Sequence, residues 1–185
     1  MKRLSLFLIL ALCSITVFSQ ENMVTLSGGY SWANLDEVDL KATGFRINGL
    51  YEFNPNQDKV AHGISVGYIS LSTTDDTSST TETTEYTITS WPIYYAPKIM
   101  FGKEKFKAFI KGAVGTHISK YKRDGYLGEL SVNNIGFYGG LGAGIIINLS
   151  DKVFINGEYE WAWESNGYYE GGFINSAMGG IGMRF

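Results

Sequence analysis

The chain has 185 residues with 15 basic and 18 acidic side chains, a formal net charge of −3, so it lacks the basic excess of a nucleic-acid-binding protein. Glycine occurs 23 times, and Tyr (12) and Phe (11) together equal it. That composition suits a sheet protein with a crowded inner face and aromatic belts better than a globular enzyme.

The chain opens Met1-Lys2-Arg3 and continues through an apolar run from Leu4 to Phe18. With Val17 and Ser19 at the −3 and −1 positions, residues 1–19 are expected to be a signal peptide cleaved before Gln20. The run is too short for a spanning helix. Leu10-Ala11-Leu12-Cys13 has some likeness to a lipobox, although Leu12 is bulky for the residue before a lipidated Cys. Removing Lys2 and Arg3 leaves 13 basic residues against 18 acidic ones, a net charge of −5, and no cysteine. The remainder, 20–185, has the size of one domain.

Ten-residue alternation follows at once. Val24, Leu26, Gly28, Tyr30 and Trp32 share one face of a first strand, Met23 to Asn34. After an acidic loop, Gly44 to Phe53 sets Phe45, Ile47, Tyr51 and Phe53 against Arg46, Asn48 and Glu52. Asn54 to Asp58 is a turn. A third strand, Lys59 to Leu71, places Val60, Ile64, Val66 and Tyr68 opposite Ala61, Gly63, Ser65 and Gly67. From Ser70 to Ser90, 14 of 21 residues are Ser or Thr, a composition that cannot bury a core yet permits a protruding hairpin. The fourth strand, Tyr86 to Phe101, contains Pro92 and Pro97, so a bulge is expected within it.

Phe106 to Tyr121 puts Phe106, Ile110, Val114 and Ile118 on one face and Lys107, Lys111, Ala113 and His117 on the other. Lys122 to Asn133 is expected to be a polar loop. Asn134 to Leu149 alternates Ile, Phe, Leu and Ala with Gly136, Tyr138, Gly140, Gly142 and Gly144. After the turn at Ser150-Asp151, Lys152 to Glu164 sets Tyr159, Trp161 and Trp163 against Glu158, Glu160 and Glu164. Ser165 to Gly172 is a loop. The last strand, Phe173 to Phe185, carries an apolar row ending Ala177, Gly179, Ile181, Met183 and Phe185.

Eight strands joined by alternating long loops and short turns predict an all-β, eight-stranded antiparallel up-and-down transmembrane β-barrel with both termini in the periplasm. A soluble lipocalin-like barrel would share the period but turn its apolar face inward. The small residues of the polar faces, the strand lengths and two aromatic belts favour lipid outside. Tyr30, Trp32, Trp161 and Trp163 form the outer belt, and Tyr51, Phe53, Phe101 and Phe106 the periplasmic one.

The signal end Phe18-Ser19-Gln20, the stretch Trp91-Pro92-Ile93-Tyr94-Tyr95, the Gly-rich sixth strand and the terminal Met183-Arg184-Phe185 resemble the small bacterial outer-membrane β-barrel family, OmpX-like and OmpA-barrel-like proteins among them. The resemblance implies a Gram-negative outer-membrane location, a bilayer environment, and Phe185 as the signal read by the barrel assembly machinery. It implies a fold without implying an activity.

The inward charges are Arg46, Lys98, Lys107, Lys111 and Arg184 against Glu52, Glu158, Glu160 and Glu164. Near balance predicts an interior salt-bridge network that plugs the barrel. A narrow ion path is the alternative reading, and Glu158 with Glu160 as paired catalytic carboxylates a remoter one. His117 and Ser119 point inward near the outer rim, where outer-membrane lipid-modifying enzymes use such residues, but those families' motifs are absent. Two isolated histidines offer no metal cluster, and the glycines follow no phosphate-loop spacing, so no cofactor is expected. The function expected is non-enzymatic: surface interaction or envelope structure, with an extracellular partner at Ser70–Ser90.

Overall fold

A computed structural model describes residues 21–35, 40–54, 59–75, 83–103, 105–125, 128–165, 168–169 and 172–185. The expected signal peptide, Cys13, most of the expected Asn54–Asp58 turn and residues 76–82 of the Ser/Thr-rich segment lie outside them. Nine strands run in chain order: β1 (Glu21–Asn34), β2 (Lys41–Asn54), β3 (Val60–Asp75), β4 (Thr84–Tyr95), β5 (Lys98–Lys103), β6 (Phe106–Asp124), β7 (Leu130–Asn148), β8 (Val153–Glu164) and β9 (Phe173–Arg184). Each pairs antiparallel with its neighbours, and β1 pairs with both β2 and β9 while β2 pairs with β3, so the sheet closes on itself. Closure removes the edges that an open sheet would expose.

The expected ring of eight is present, and the ninth strand arises from an interruption at Pro97. β4 and β5 are two pieces of one stave. Tyr95 faces Val114 and Lys98 faces Lys111 across β6, three residues on along each strand. The register therefore passes the interruption unchanged, and the expected bulge is absent. Gly112 donates its amide to the Pro97 carbonyl at 2.8 Å, but Pro97 has no amide to return. The barrel has eight staves.

Alternation sorts the side chains as the period requires. Leu26, Ile64, Val66, Ile110, Val114, Leu141 and Ile181 all point outward and are at least half exposed, an arrangement that only hydrocarbon makes favourable. No helix among the described residues is long and apolar enough to cross a membrane; the crossing is made by strands.

The staves differ in height. β6 and β7 are 19 residues each, whereas β8 and β9 are 12. A transmembrane strand needs only about 9–11 residues, so the long pair projects beyond the bilayer. Lys122–Asp124 and Leu130–Asn133, expected to be loop, are ladder, with Arg123 facing Leu130. In the Ser70–Ser90 segment the protruding hairpin that its composition permits is what forms: Asp75 pairs with Thr84, and the ladder runs unbroken down to Ile69 and Ser90. β4 in turn pairs with β6 up to Glu85 and Asp124. The tops of β3, β4, β6 and β7 thus make one four-stranded sheet standing above the extracellular rim.

The interior is less polar than the sequence suggests. At the periplasmic end Met23, Ala61, Met100, Phe109, Ile146 and Phe154 form one buried cluster. Towards the outside Leu35, Ile69, Leu71, Tyr86, Ile88, Tyr121, Tyr169 and Ile174 belong to a second. Ile69, Leu71, Tyr86 and Ile88 come from in and beside the Ser/Thr-rich segment that composition alone would leave coreless. Arg46, Lys111, Glu158 and Glu160 lie between these layers.

Candidate functional site

Glu160 on β8 is the centre of the lumen. Its carboxylate is 2.7 Å from Arg46 on β2 and 2.7 Å from Lys111 on β6, and all three side chains are fully buried. Tyr138 on β7 donates its hydroxyl to Oε1 at 2.5 Å, and Tyr94 on β4 donates to Oε2 at 3.3 Å. One carboxylate therefore gathers donors from four other staves. Lys111 also pairs with Glu158. Arg46 donates to the Tyr94 hydroxyl at 3.0 Å, and the Tyr94 and Tyr138 rings stack at 4.9 Å beneath its guanidinium. Desolvating so many charges is costly, and it is offset here because each finds an opposite charge and polar partners.

The period put Arg46, Lys111, Glu158 and Glu160 in the lumen and set Tyr94 and Tyr138 on the same inner faces, Tyr138 as the large residue among Gly136, Gly140, Gly142 and Gly144. What it did not say is that the two hydroxyls complete the cluster. Lys98 pairs with Glu52 at 2.7 Å and lies over the Phe109 ring, one layer nearer the periplasm. Three of the nine charged positions stand apart, Glu164 above the network and Arg184 and Lys107 below it. Arg184 donates to Asn148 at 2.8 Å and covers Phe154 at the periplasmic mouth. Lys107 is only half-buried at the same mouth and has no ion pair among the described residues. It lies below the network because it is one pleat nearer the periplasmic end of β6 than Phe109, where the strand is still paired with β5 and β7. Arg46, Lys98 and Lys111 then balance Glu52, Glu158 and Glu160.

Above this layer Glu164 links two residues. Ser90 donates to its Oε1 at 2.8 Å, and His117 Nδ1 is 3.4 Å from Oε2. His117 Nε2 lies 2.9 Å from the Ser165 carbonyl oxygen, so that nitrogen must carry a proton to donate. The serine thus donates to the carboxylate and not to the imidazole. A nucleophile–base pair needs the opposite order. Ser119 is fully buried beside them, with no hydrogen bond to His117. No group of three His, Cys, Asp or Glu able to hold a metal occurs among the described residues.

The belt residues face outward. Tyr30, Trp161, Trp163, Phe101 and Phe106 are exposed, and Trp32, Tyr51 and Phe53 are partly covered. Trp161 stacks on Phe173 at 4.7 Å and Tyr30 on Trp32 at 5.7 Å. At the other end Phe53, His62 and Tyr95 form a stacked column. Phe185 is 59% exposed and exchanges both backbone hydrogen bonds with Asn22.

A closed antiparallel ring, an apolar outer surface and a charged inner layer define a transmembrane β-barrel. The chain belongs to the outer membrane protein beta-barrel domain family, whose match spans residues 5–185. It is accordingly a protein of the Gram-negative outer membrane. Among solved structures it is similar to Ail, the attachment invasion locus protein of Yersinia pestis, at a TM-score of 0.57 and 18% identity, covering 89% of this chain and 98% of that one. Ail has also been solved with the heparin analogue sucrose octasulfate. Neisserial surface protein A is similar at a TM-score of 0.63 and 13% identity, covering 89% and 97%. The N-terminal barrel of Pseudomonas aeruginosa OprF follows at 0.51 and 10%, covering 89% and 97%. At these identities the likeness is one of fold. No curated protein matches the chain in sequence.

Proposed function

We propose that the protein is a plugged, non-enzymatic barrel whose outer end mediates surface interaction or supports the envelope. The observation that carries this reading is the sandwich in the lumen: a buried charge layer between two apolar ones, with Arg46, Lys111 and Glu160 at 0% exposure. Ions crossing it would have to strip charge pairs apart and pass two dry layers. The narrow-channel alternative is disfavoured on that ground. A lipid-modifying role is disfavoured because His117 and Ser119 are fully buried and share no hydrogen bond.

The interaction surface assigned by this reading differs from the one expected. The β3–β4 hairpin has its β4 side covered by β6, so Ser70–Ser90 offers little open edge. On β7 the ladder with β8 starts only at Tyr138 and Glu164. Above it, Leu130 to Asn133 run beyond the end of β8, with Leu130 and Val132 exposed. An extended partner segment could add there by backbone pairing. By sequence, the segments joining β1 to β2, β3 to β4, β6 to β7 and β8 to β9 carry Asp36, Glu37, Asp39, Asp76, Glu82, Glu129 and Glu170 and neither Lys nor Arg. That excess of acid suits a neutral or basic partner, not a polyanion of the kind solved with Ail.

The test replaces Tyr121–Val132 by Asn-Gly, which closes the hairpin on the native pair Lys120 and Asn133. Cells displaying the shortened barrel should lose adherence to a protein-coated surface, while those lacking Thr73–Glu85 keep part of it. Unchanged adherence and unchanged detergent sensitivity after the Asn-Gly replacement would remove the reading.

A further inference from the structure

The periplasmic mouth holds a depression of about 460 Å³ that the lumen network does not use. Lys105, Lys107, Asn148, Ser150, Asp151 and Arg184 line it. Three cations and one carboxylate leave a formal charge of +2. Arg184 is held in place by Asn148 and by the Phe154 ring. Lys105 and Lys107 are flexible, carry no ion pair among the described residues, and reach in from the start of β6. Asp151 sits in a tight turn in which the amides of Leu149 and Ser150 donate to the Val153 carbonyl at 2.9 and 3.1 Å. Ser150 Oγ accepts the amides of Lys152 and Val153 at 3.3 and 3.1 Å. The carboxylate therefore projects from a fixed backbone beside the cations.

The surroundings say which anion fits. Phe106, Leu149 and Phe185 next to the depression are each more than half exposed and face the bilayer. Lys59, Lys103 and Lys152 extend the positive ring around the same rim. Lysines at such a boundary lay their stems on apolar surface and lift their ammonium groups to the headgroups.

We propose that this mouth is a binding site for a phospholipid headgroup of the phosphoethanolamine type. The phosphate lies among Lys105, Lys107 and Arg184, the ammonium pairs with Asp151, and the acyl chains lie over Phe106, Leu149 and Phe185. Charge complementarity distinguishes it from a simple anion site, because a carboxylate among the cations repels a bare phosphate and attracts a zwitterion. The site lies at the opposite end from the projecting sheet and is independent of the surface role.

The test uses the refolded full barrel in a sugar-based detergent that contains no phosphate. Amide resonances of Lys105, Lys107 and Ser150–Lys152 are followed while short-chain phosphatidylethanolamine, short-chain phosphatidylglycerol or inorganic phosphate is added. The expected result is a saturable shift, tightest with phosphatidylethanolamine. Lys105→Gln with Lys107→Gln should weaken both lipids about tenfold, as loss of charge-assisted phosphate bonds does. Asp151→Asn should weaken phosphatidylethanolamine alone. All three positions are on the rim, and a retained heat-modifiable gel shift shows that each variant is folded. No saturable shift with either lipid overturns the proposal. So does inorganic phosphate binding as tightly as the lipids, which would mark a soluble-anion site, or phosphatidylglycerol binding as tightly as phosphatidylethanolamine, which would remove Asp151's part.

Discussion

At Glu160 one carboxylate holds two buried cations and two tyrosine hydroxyls. Glu160→Gln keeps the shape and removes the charge, leaving Arg46 and Lys111 to share Glu158. Breaking a buried ion pair this way costs about 3–5 kcal/mol, which urea unfolding of the barrel in lipid vesicles would show as a lowered midpoint. If the network acts as a unit, Lys111→Met combined with Glu160→Gln should cost less than the two losses added. Additive losses would mean that the pairs are independent. A smaller effect belongs to Gly182, where a Cβ would lie 2.2 Å from the Phe154 ring. Gly182→Ala must push that ring, which is buried among Met23, Phe109 and Ile146 and lies against Arg184. A loss of about 1–3 kcal/mol is expected from such overpacking, measured by the same unfolding.

For single strands, Pro97 and the heights of β6 and β7 make the informative cases. Pro97 accepts from Gly112 but cannot donate back, which splits a stave without shifting its register. Pro97→Val supplies the missing amide and a β-branched side chain. It should join β4 to β5 and raise stability by about 0.5–1.5 kcal/mol, the worth of one net hydrogen bond. Slow amide exchange at residue 97 would confirm the new bond, and rapid exchange there would refute it. The tall β6–β7 pair explains why a segment of low hydrophobicity is ordered. Its neighbours Ile69, Leu71, Tyr86 and Ile88 drop their side chains inward onto Tyr121, Tyr169 and Ala33, and the Ser and Thr residues fill the wet face.

Taken whole, the barrel has an apolar outer surface and an ionic layer in its lumen between two apolar side-chain clusters. In a planar bilayer the refolded protein is expected to show no steady conductance. The polar layer is not its only barrier, so Glu158→Gln should stay silent as well. Sustained current in either case would move the function into the lumen. The two proposals assign the two mouths different tasks, a protein partner at the outer one and lipid headgroups at the periplasmic one.

Period-two alternation sorted the residues of every stave into two faces, because a one-residue slip would exchange the faces of a whole strand, and the small residues of one face with the aromatic belts of the other marked which meets lipid. It therefore located the lumen charges Arg46, Glu52, Lys98, Lys111, Glu158 and Glu160, and the closing pair of β1 and β9. Facing says nothing of height along the axis. Only the closed, sheared ring decided that Glu160 meets Arg46, 114 residues away in sequence, that Lys107 falls below the network, and that Tyr94 and Tyr138 complete it. It also decided which hairpin edge is covered. Whether Ser70–Ser90 or the top of β7 is open depends on which strand lies beside it, and that neighbour is fixed by closure and not by local sequence.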